Sequence, residues 1–266
     1  AAILAGRAAA SVSMLPVWCG TRLGPLPSQR RFVALERRST MRTTHLTESS
    51  ALAGVPIWRQ ALATGEPTSC DAERIEVDVA IIGGGLTGLS AAYHVLAAQP
   101  DLRVVVLEAK QIGYGASSRN TGMVTPGVGQ NLAGLVRRVG AEAAREIYQS
   151  SLRAVDYVRE LTEREGIEAG LEMNGQLIVA QGRSGRRRLT RQAELLESLR
   201  LPCRRLETIG LQERLRIALD APGGDGTGPA ALWLPVAGTL HPGHLLAGLR
   251  SSVLRRGGRI LEGAPV

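Results

Sequence analysis

Three consecutive glycines, Gly83-Gly84-Gly85, stand between VDVAII (77–82) and LTGLSAAYHVLAA (86–98). The first stretch is short, apolar and β-branched, the pattern of a strand buried on both faces. The second places Leu89, Ala92 (with Tyr93) and Leu96 at helical spacing. A backbone that passes from buried strand to helix through glycine alone has few conformations open to it. Gly83 permits the tight turn, Gly85 lets the main chain approach a pyrophosphate, and Gly88 lets helix and strand pack closely. Pro100-Asp101 ends the helix, and RVVVL (103–107) gives a second buried strand closed by Glu108, 20 residues after Gly88. The whole is a β-α-β unit of about 30 residues. The amides and dipole at the helix N-terminus favour phosphate there. Glu108 is placed to accept from ribose hydroxyls, and an acid at that point favours a free 2′-hydroxyl over a 2′-phosphate. A glycine turn with no ligand is the plain alternative; the common register of strand, helix, second strand and acid favours the dinucleotide.

Downstream, residues 109–135 are rich in Gly, Ser, Thr and Asn and read as one long loop with room for a short helix. Loops of that length inside a compact domain are usually functional. An amphipathic helix is expected over 141–165, with Ile147, Ala154, Val158 and Leu161 on its apolar face and Gly166 as its stop. A strand over 175–180 and a helix over 184–200, burying Leu189, Ala193, Leu196 and Leu199, follow. APGGDGTGP (221–229) reads as a turn-rich connection. A strand over 231–235, a helix from about Gly243 to Arg256 and a strand at 259–261 complete the pattern.

With 44% hydrophobic and 21% charged residues over 266 positions, the composition is globular, long enough for about two domains. No apolar run reaches the roughly 20 residues of a membrane-spanning helix. The formal charge of +8 would suit a polyanion partner, but residues 1–42 carry seven Arg against Glu36 alone and hold most of the excess. Nucleic acid is therefore not expected as a partner. Every base except Lys110 is Arg. The 1–42 segment has the composition of an organelle transit peptide, although Pro16, Gly20, Gly24, Pro25 and Pro27 interrupt any long helix; upstream sequence carried along before a true start at Met41 is the alternative. A cytoplasmic location is expected, or an organelle if the segment is a transit peptide. Cys19, Cys70 and Cys203 are odd in number, with no CxxC pair, so neither a metal site nor a disulfide framework is expected.

Residues 108–124, EAKQIGYGASSRNTGMV, together with VDVAIIGGGLTGLSAAYHV, resemble the FAD-dependent oxidoreductases of the D-amino-acid oxidase superfamily. Within it they are most similar to the γ-glutamylputrescine oxidase-like amine oxidases. Gly113, Gly115, Ala116, Ser117, Arg119, Asn120 and Gly122 stand in that family's G-x-G-A-S-x-R-N-x-G pattern, and Trp58 stands where such proteins carry a tryptophan. The resemblance is dense from about Pro56 to Gly127 and looser to Val266. It implies an α/β fold: a Rossmann-type FAD-binding domain, its sheet incomplete here, with an inserted α+β substrate domain. The divisions expected are an extension (1–42), a lead segment (43–76), the FAD unit and flavin loop (77–135), a substrate-domain portion (136–240) and a return to the FAD domain (241–266).

The resemblance also implies non-covalent FAD. Gly83, Gly84, Gly85, Thr87, Gly88 and Glu108 would hold its adenosine end. Ala116, Ser117, Arg119 and Asn120 would lie along the pyrophosphate and ribityl chain, and Val266 would offer a backbone contact to adenine. The reaction implied is oxidation of a small amine or amino acid by hydride transfer to flavin. No catalytic residue is assigned. A flavoprotein reductase or dehydrogenase of another kind, and a non-catalytic nucleotide-binding fragment, are the alternatives. His241 and His244 (HPGH) are expected to begin a helix, with Pro242 in its first turn, and no metal is expected. His94 is expected to pack within its helix, and Arg183, Arg186, Arg187, Arg188 and Arg191 to form a solvated face. Tyr114, Tyr148 and Tyr157 are candidate pocket residues between which the sequence does not choose. With Ala1 in place of a methionine and an end in a strand-like stretch, the chain is expected to be the N-terminal part of a longer flavoenzyme, binding FAD weakly or not at all by itself.

Overall fold

The computed structural model describes residues 2–5, 32–34, 57–62, 75–129, 131–207 and 230–266. The turn-rich 221–229 segment lies outside them. The chain divides into two compact units, residues 1–119 with 246–266, and residues 120–245.

The first unit is organised on a four-stranded sheet. Its strands are β1 (Ala2–Ala5), β4 (Val79–Ile82), β5 (Val104–Leu107) and β11 (Arg259–Leu261), in that order across the sheet. β4, β5 and β11 run parallel, with Val79 opposite Val104 and Arg259 opposite Val105; β1 pairs antiparallel with β4. Parallel neighbours need a crossover, and α1 (Leu86–Ala98) provides it. Leu89, Ala92, Tyr93 and Leu96 of α1 are all buried, as their spacing predicts. A second pairing joins β2 (Phe32–Ala34) to β3 (Ile75–Val77). Two pieces of the 1–42 extension are thus strands.

The expected single strand over 77–82 is two strands, β3 and β4, broken at Asp78. The Asp78 carboxylate accepts from the Arg103 main-chain amide at 2.9 Å, from its Nε at 3.0 Å and from its Nη2 at 2.9 Å. The amides of Asp78 and Val79 both donate to Arg103 O, at 2.9 and 3.2 Å, so the break is pinned to the start of β5 by main chain and side chain together.

The second unit combines helices with a small antiparallel sheet. The expected loop over 109–135 is more ordered than its composition indicates. Its first part, in the first unit, contains a 3-10 turn at Ala116–Ser118; the part in the second unit contains the two-residue β6 (Met123–Val124) and the start of α2 (Leu132–Val139). Asn131 caps α2, its Oδ1 accepting from Gly134 N at 2.7 Å. α3 (Ala141–Glu165) has the expected bounds but a different inner face. Ala144, Tyr148, Val155, Leu161 and Thr162 are buried, whereas Ala154 is exposed. The bulk of Tyr148 sets that face, packing in the cluster with Leu189, Ala193, Leu196 and Leu199.

Those four residues belong to α4 (Gly182–Ser198) and its C-cap, and all are buried as expected. The helix lies over a sheet of order β7-β9-β8: β7 (Gln176–Val179), β8 (Arg204–Leu206) and β9 (Ala231–Leu234). Of the five arginines expected to form a solvated face, Arg183, Arg187, Arg188 and Arg191 are exposed along α4, whereas Arg186 is half-buried. β10 (Gly238–Thr239) pairs with β6, and α5 (Pro242–Arg255) follows. Among the described residues no helix is long and apolar enough to cross a membrane.

Candidate cofactor site

The turn between β4 and α1 is shaped by steric exclusion. Gly83 has φ +100°, a conformation L side chains avoid. A Cβ on Gly88 would stand 1.9 Å from the carbonyl oxygen of Gly83, a backbone atom that cannot yield. The close packing expected at Gly88 is thus a contact between helix and turn. At Gly85 a Cβ would meet Ser117 Oγ at 2.8 Å, and at Gly84 it would meet Ile112 Cδ1 at 2.3 Å.

The first turn of α1 leaves donors facing outward. Leu89 is the first residue whose amide reaches back along the helix, to Gly85 O at 3.0 Å. The Leu86 amide donates to Ser117 Oγ at 3.0 Å. The amides of Thr87 and Gly88 have no helical carbonyl ahead of them. Both residues line a cleft of about 380 Å³, together with Gly83, Gly85, Glu108 and Ser117. That volume is within the range of small-molecule sites.

Glu108 closes the opposite side. Its Oε2 accepts from Gly84 N at 2.7 Å and its Oε1 from Lys110 N at 3.0 Å. Each carboxylate oxygen keeps a lone pair beyond the one so used. The residue is therefore both the clasp of the glycine turn and an acceptor at the rim of the cleft.

The remaining expected residues divide. Ala116 and Ser117 line the cleft. Gly84, Arg119, Asn120 and Val266 do not. Gly84 lies behind it, against Ile112 and Glu108. Arg119 is exposed and folds onto Tyr114, its Nε donating to Tyr114 O at 3.2 Å. Asn120 belongs to the second unit, where its Oδ1 accepts from Gly122 N at 2.9 Å. Val266 is 64% exposed.

Five more residues complete the lining: Gly113 and Gly115, which the sequence places in the family pattern, Tyr114, one of the candidate pocket tyrosines, and Ala109 and Lys110, which sequence reading passed over. They arrive there because the chain folds back after Glu108, Gly113 N donating to Gly84 O at 3.3 Å. Lys110 Nζ lies 4.0 Å from the centre of the Tyr114 ring, a cation over an aromatic face. The one signal available was that Lys110 is the only lysine of the chain. Among the three candidate tyrosines only Tyr114 reaches the cleft; Tyr148 is a core residue, and burial pushes its phenol upward.

His241 and His244 begin α5. Their rings stack at 3.9 Å, and His241 Nδ1 accepts from His244 N at 3.1 Å. Burial, then the neighbouring His244, lowers the His241 titration below 6.5. His94 Nδ1 lies 2.6 Å from Ser90 O within α1. Among the described residues no group of three or more His, Cys, Asp or Glu gathers as a metal site.

A parallel β-α-β unit, a glycine turn that no side chain could enter and a carboxylate at the end of the second strand define a dinucleotide-binding unit. Residues 78–266 match the family described as FAD dependent oxidoreductase, and the chain belongs to that family. It is 32% identical over 191 residues to gamma-glutamylputrescine oxidoreductase of Escherichia coli (strain K12), a match covering 71% of this chain and 42% of that protein. It is 26% identical over 189 residues to a probable oxidoreductase, OrdL, of Haemophilus influenzae, covering 71% and 42%. The chain thus spans less than half the length of these curated relatives. The L-amino acid deaminase of Proteus myxofaciens, solved in complex with anthranilate, shares the fold. The TM-score is 0.52 at 17% identity, covering 68% of this chain and 37% of that one.

FAD is the family's cofactor, and the site fits its adenosine diphosphate half. The glycine cradle would be filled by any Cβ, the donors are uncharged amides at a helix N-terminus, and the acid at the rim suits ribose hydroxyls.

Proposed function

We propose that this chain carries the nucleotide-holding part of a flavoenzyme that oxidises the C–N bond of a small amine or amino acid. The observation that carries the reading is the Gly83–Gly88 turn clasped by Glu108 around a cleft, in a chain 32% identical to an amine-linked oxidoreductase. Bound FAD would supply the hydride acceptor. The residues of this chain bind and orient: the amides of Thr87 and Gly88 would face the pyrophosphate, Glu108 the ribose, and Ser117 the same anion from the loop. By the same reading the first unit is a Rossmann-type FAD domain. The second unit, inserted within it, is a portion of the substrate domain.

The test is spectroscopic. Titrated with FAD, the chain should perturb the flavin bands near ~450 nm weakly but saturably, and candidate amines should bleach the bound flavin without oxygen. Bands that bleach with a nicotinamide donor but with no amine would assign the protein to another class of flavoenzyme. A protein that takes up no flavin at any concentration would sink the claim that this chain holds the nucleotide.

A further inference from the structure

From the hydrogen bonds that tie the end of β11 to the loop after β5, we infer that Glu262 is a positioning residue for the cofactor site. The inference rests on the FAD reading above and concerns a residue 150 positions away from the loop it holds.

Beyond β11 the chain runs as a strap along residues 108–112. Glu108 N donates to Leu261 O at 2.8 Å, Ala264 N to Glu108 O at 2.9 Å, and Gly263 N to Lys110 O at 2.9 Å. These are main-chain contacts, available to most sequences. The fourth is not: Ile112 N donates to the Glu262 carboxylate, Oε1, at 2.6 Å. Ile112 is 3% exposed, and its amide sits where the loop has left the β5 ladder. A buried amide without an acceptor is costly, and a charged acceptor makes the stronger bond.

Ile112 then transmits the placement. Its Cδ1 occupies the space that a side chain on Gly84 would need. The amide of Gly84 in turn donates to Glu108 Oε2. Glu262 fixes Ile112, Ile112 backs the glycine turn, and the turn orients the Glu108 carboxylate at the rim. Glu262 is itself absent from the cleft lining, so it acts through the loop and not on the ligand.

Amide hydrogen exchange in the ligand-free chain tests this directly. Glu262→Ala should quicken exchange at Ile112, and also at Gly84 and Lys110, whose amides rest on Glu108, by about tenfold or more. Val105 and Val106 in β5 should be unchanged, and Glu262→Gln, which keeps an acceptor oxygen, should restore most of the protection. Quickening at Ile112 alone, or equally at Val105 and Val106, would overturn the inference. Should Glu262→Ala not fold, Glu262→Asp, which withdraws the carboxylate by one methylene, carries the same comparison. In a parallel titration with ADP, Glu262→Ala should bind about tenfold more weakly than the unaltered chain; equal affinities would overturn the inference. An unaltered chain that binds no ADP would instead contradict the cofactor reading, while the exchange pattern still judges Glu262.

Discussion

The carboxylate of Glu108 accepts the amide hydrogen of Gly84 at 2.7 Å, joining the end of the second parallel strand to the turn that follows the first. The two residues are 24 positions apart, and the bond closes the β-α-β unit at its ligand-binding end. The same carboxylate is thus a structural clasp and, on the proposed reading, the group that would recognise the ribose.

Replacing Glu108 therefore has two separable effects. Glu108→Ala should cost about 1–3 kcal/mol in stability, since the Gly84 and Lys110 amides lose their acceptor. Glu108→Gln should cost less, yet bind ADP more weakly and discriminate less against 2′,5′-ADP, because the charge that repels a 2′-phosphate is gone. Calorimetric titration with both nucleotides checks this. A Gln variant with undiminished preference for ADP would show that the carboxylate does not face the ribose.

Gly88→Ala should be disproportionately damaging for a single methyl. The added Cβ would lie 1.9 Å from Gly83 O, so helix and turn must part. A loss at or beyond the top of the ~1–3 kcal/mol usual for overpacking is expected, read from urea denaturation. Gly115→Ala is the control, since a Cβ there meets nothing within 4 Å. Similar losses for the two would refute the steric account.

The start of α5 should be sensitive to acid. His241 titrates below 6.5, held down by burial and then by His244. A folded-state value below the unfolded one gives stability that is fully present above 6.5 and is lost as pH falls through the lowered value. Protonation also removes the Nδ1 lone pair that accepts from His244 N. His241→Asn keeps a capping acceptor that does not titrate, so its denaturation midpoint should vary less between pH 7 and pH 5. Parallel pH profiles for variant and parent would contradict this.

Much of the first unit was legible because its signals are local. α1 begins at Leu86 and ends at Ala98 as the apolar spacing and Pro100 indicate; Gly83 takes a positive φ, and Gly84, Gly85 and Gly88 each have their own close contact. What escaped depended on partners far along the chain. The break at Asp78 needs Arg103 beside it, and the burial of Tyr148 needs α4. α2 has only eight residues and hid in a polar stretch, although Asn131 is a readable cap. In the cleft's second wall Gly113, Tyr114 and Gly115 were already marked by pattern or residue type, but Ala109 and Lys110 join it only when the loop folds back onto Gly84, which no periodicity announces.

The central claim is that Gly83–Gly88 and Glu108 hold the adenosine diphosphate end of the cofactor. Titration of the isotopically labelled chain with ADP, followed by amide resonances, tests it residue by residue. Saturable shifts concentrated at Gly83, Gly85, Thr87, Gly88, Glu108 and Lys110, and lost in Gly88→Ala, are the predicted result. Saturable shifts centred elsewhere, or none at any ADP concentration, would contradict it.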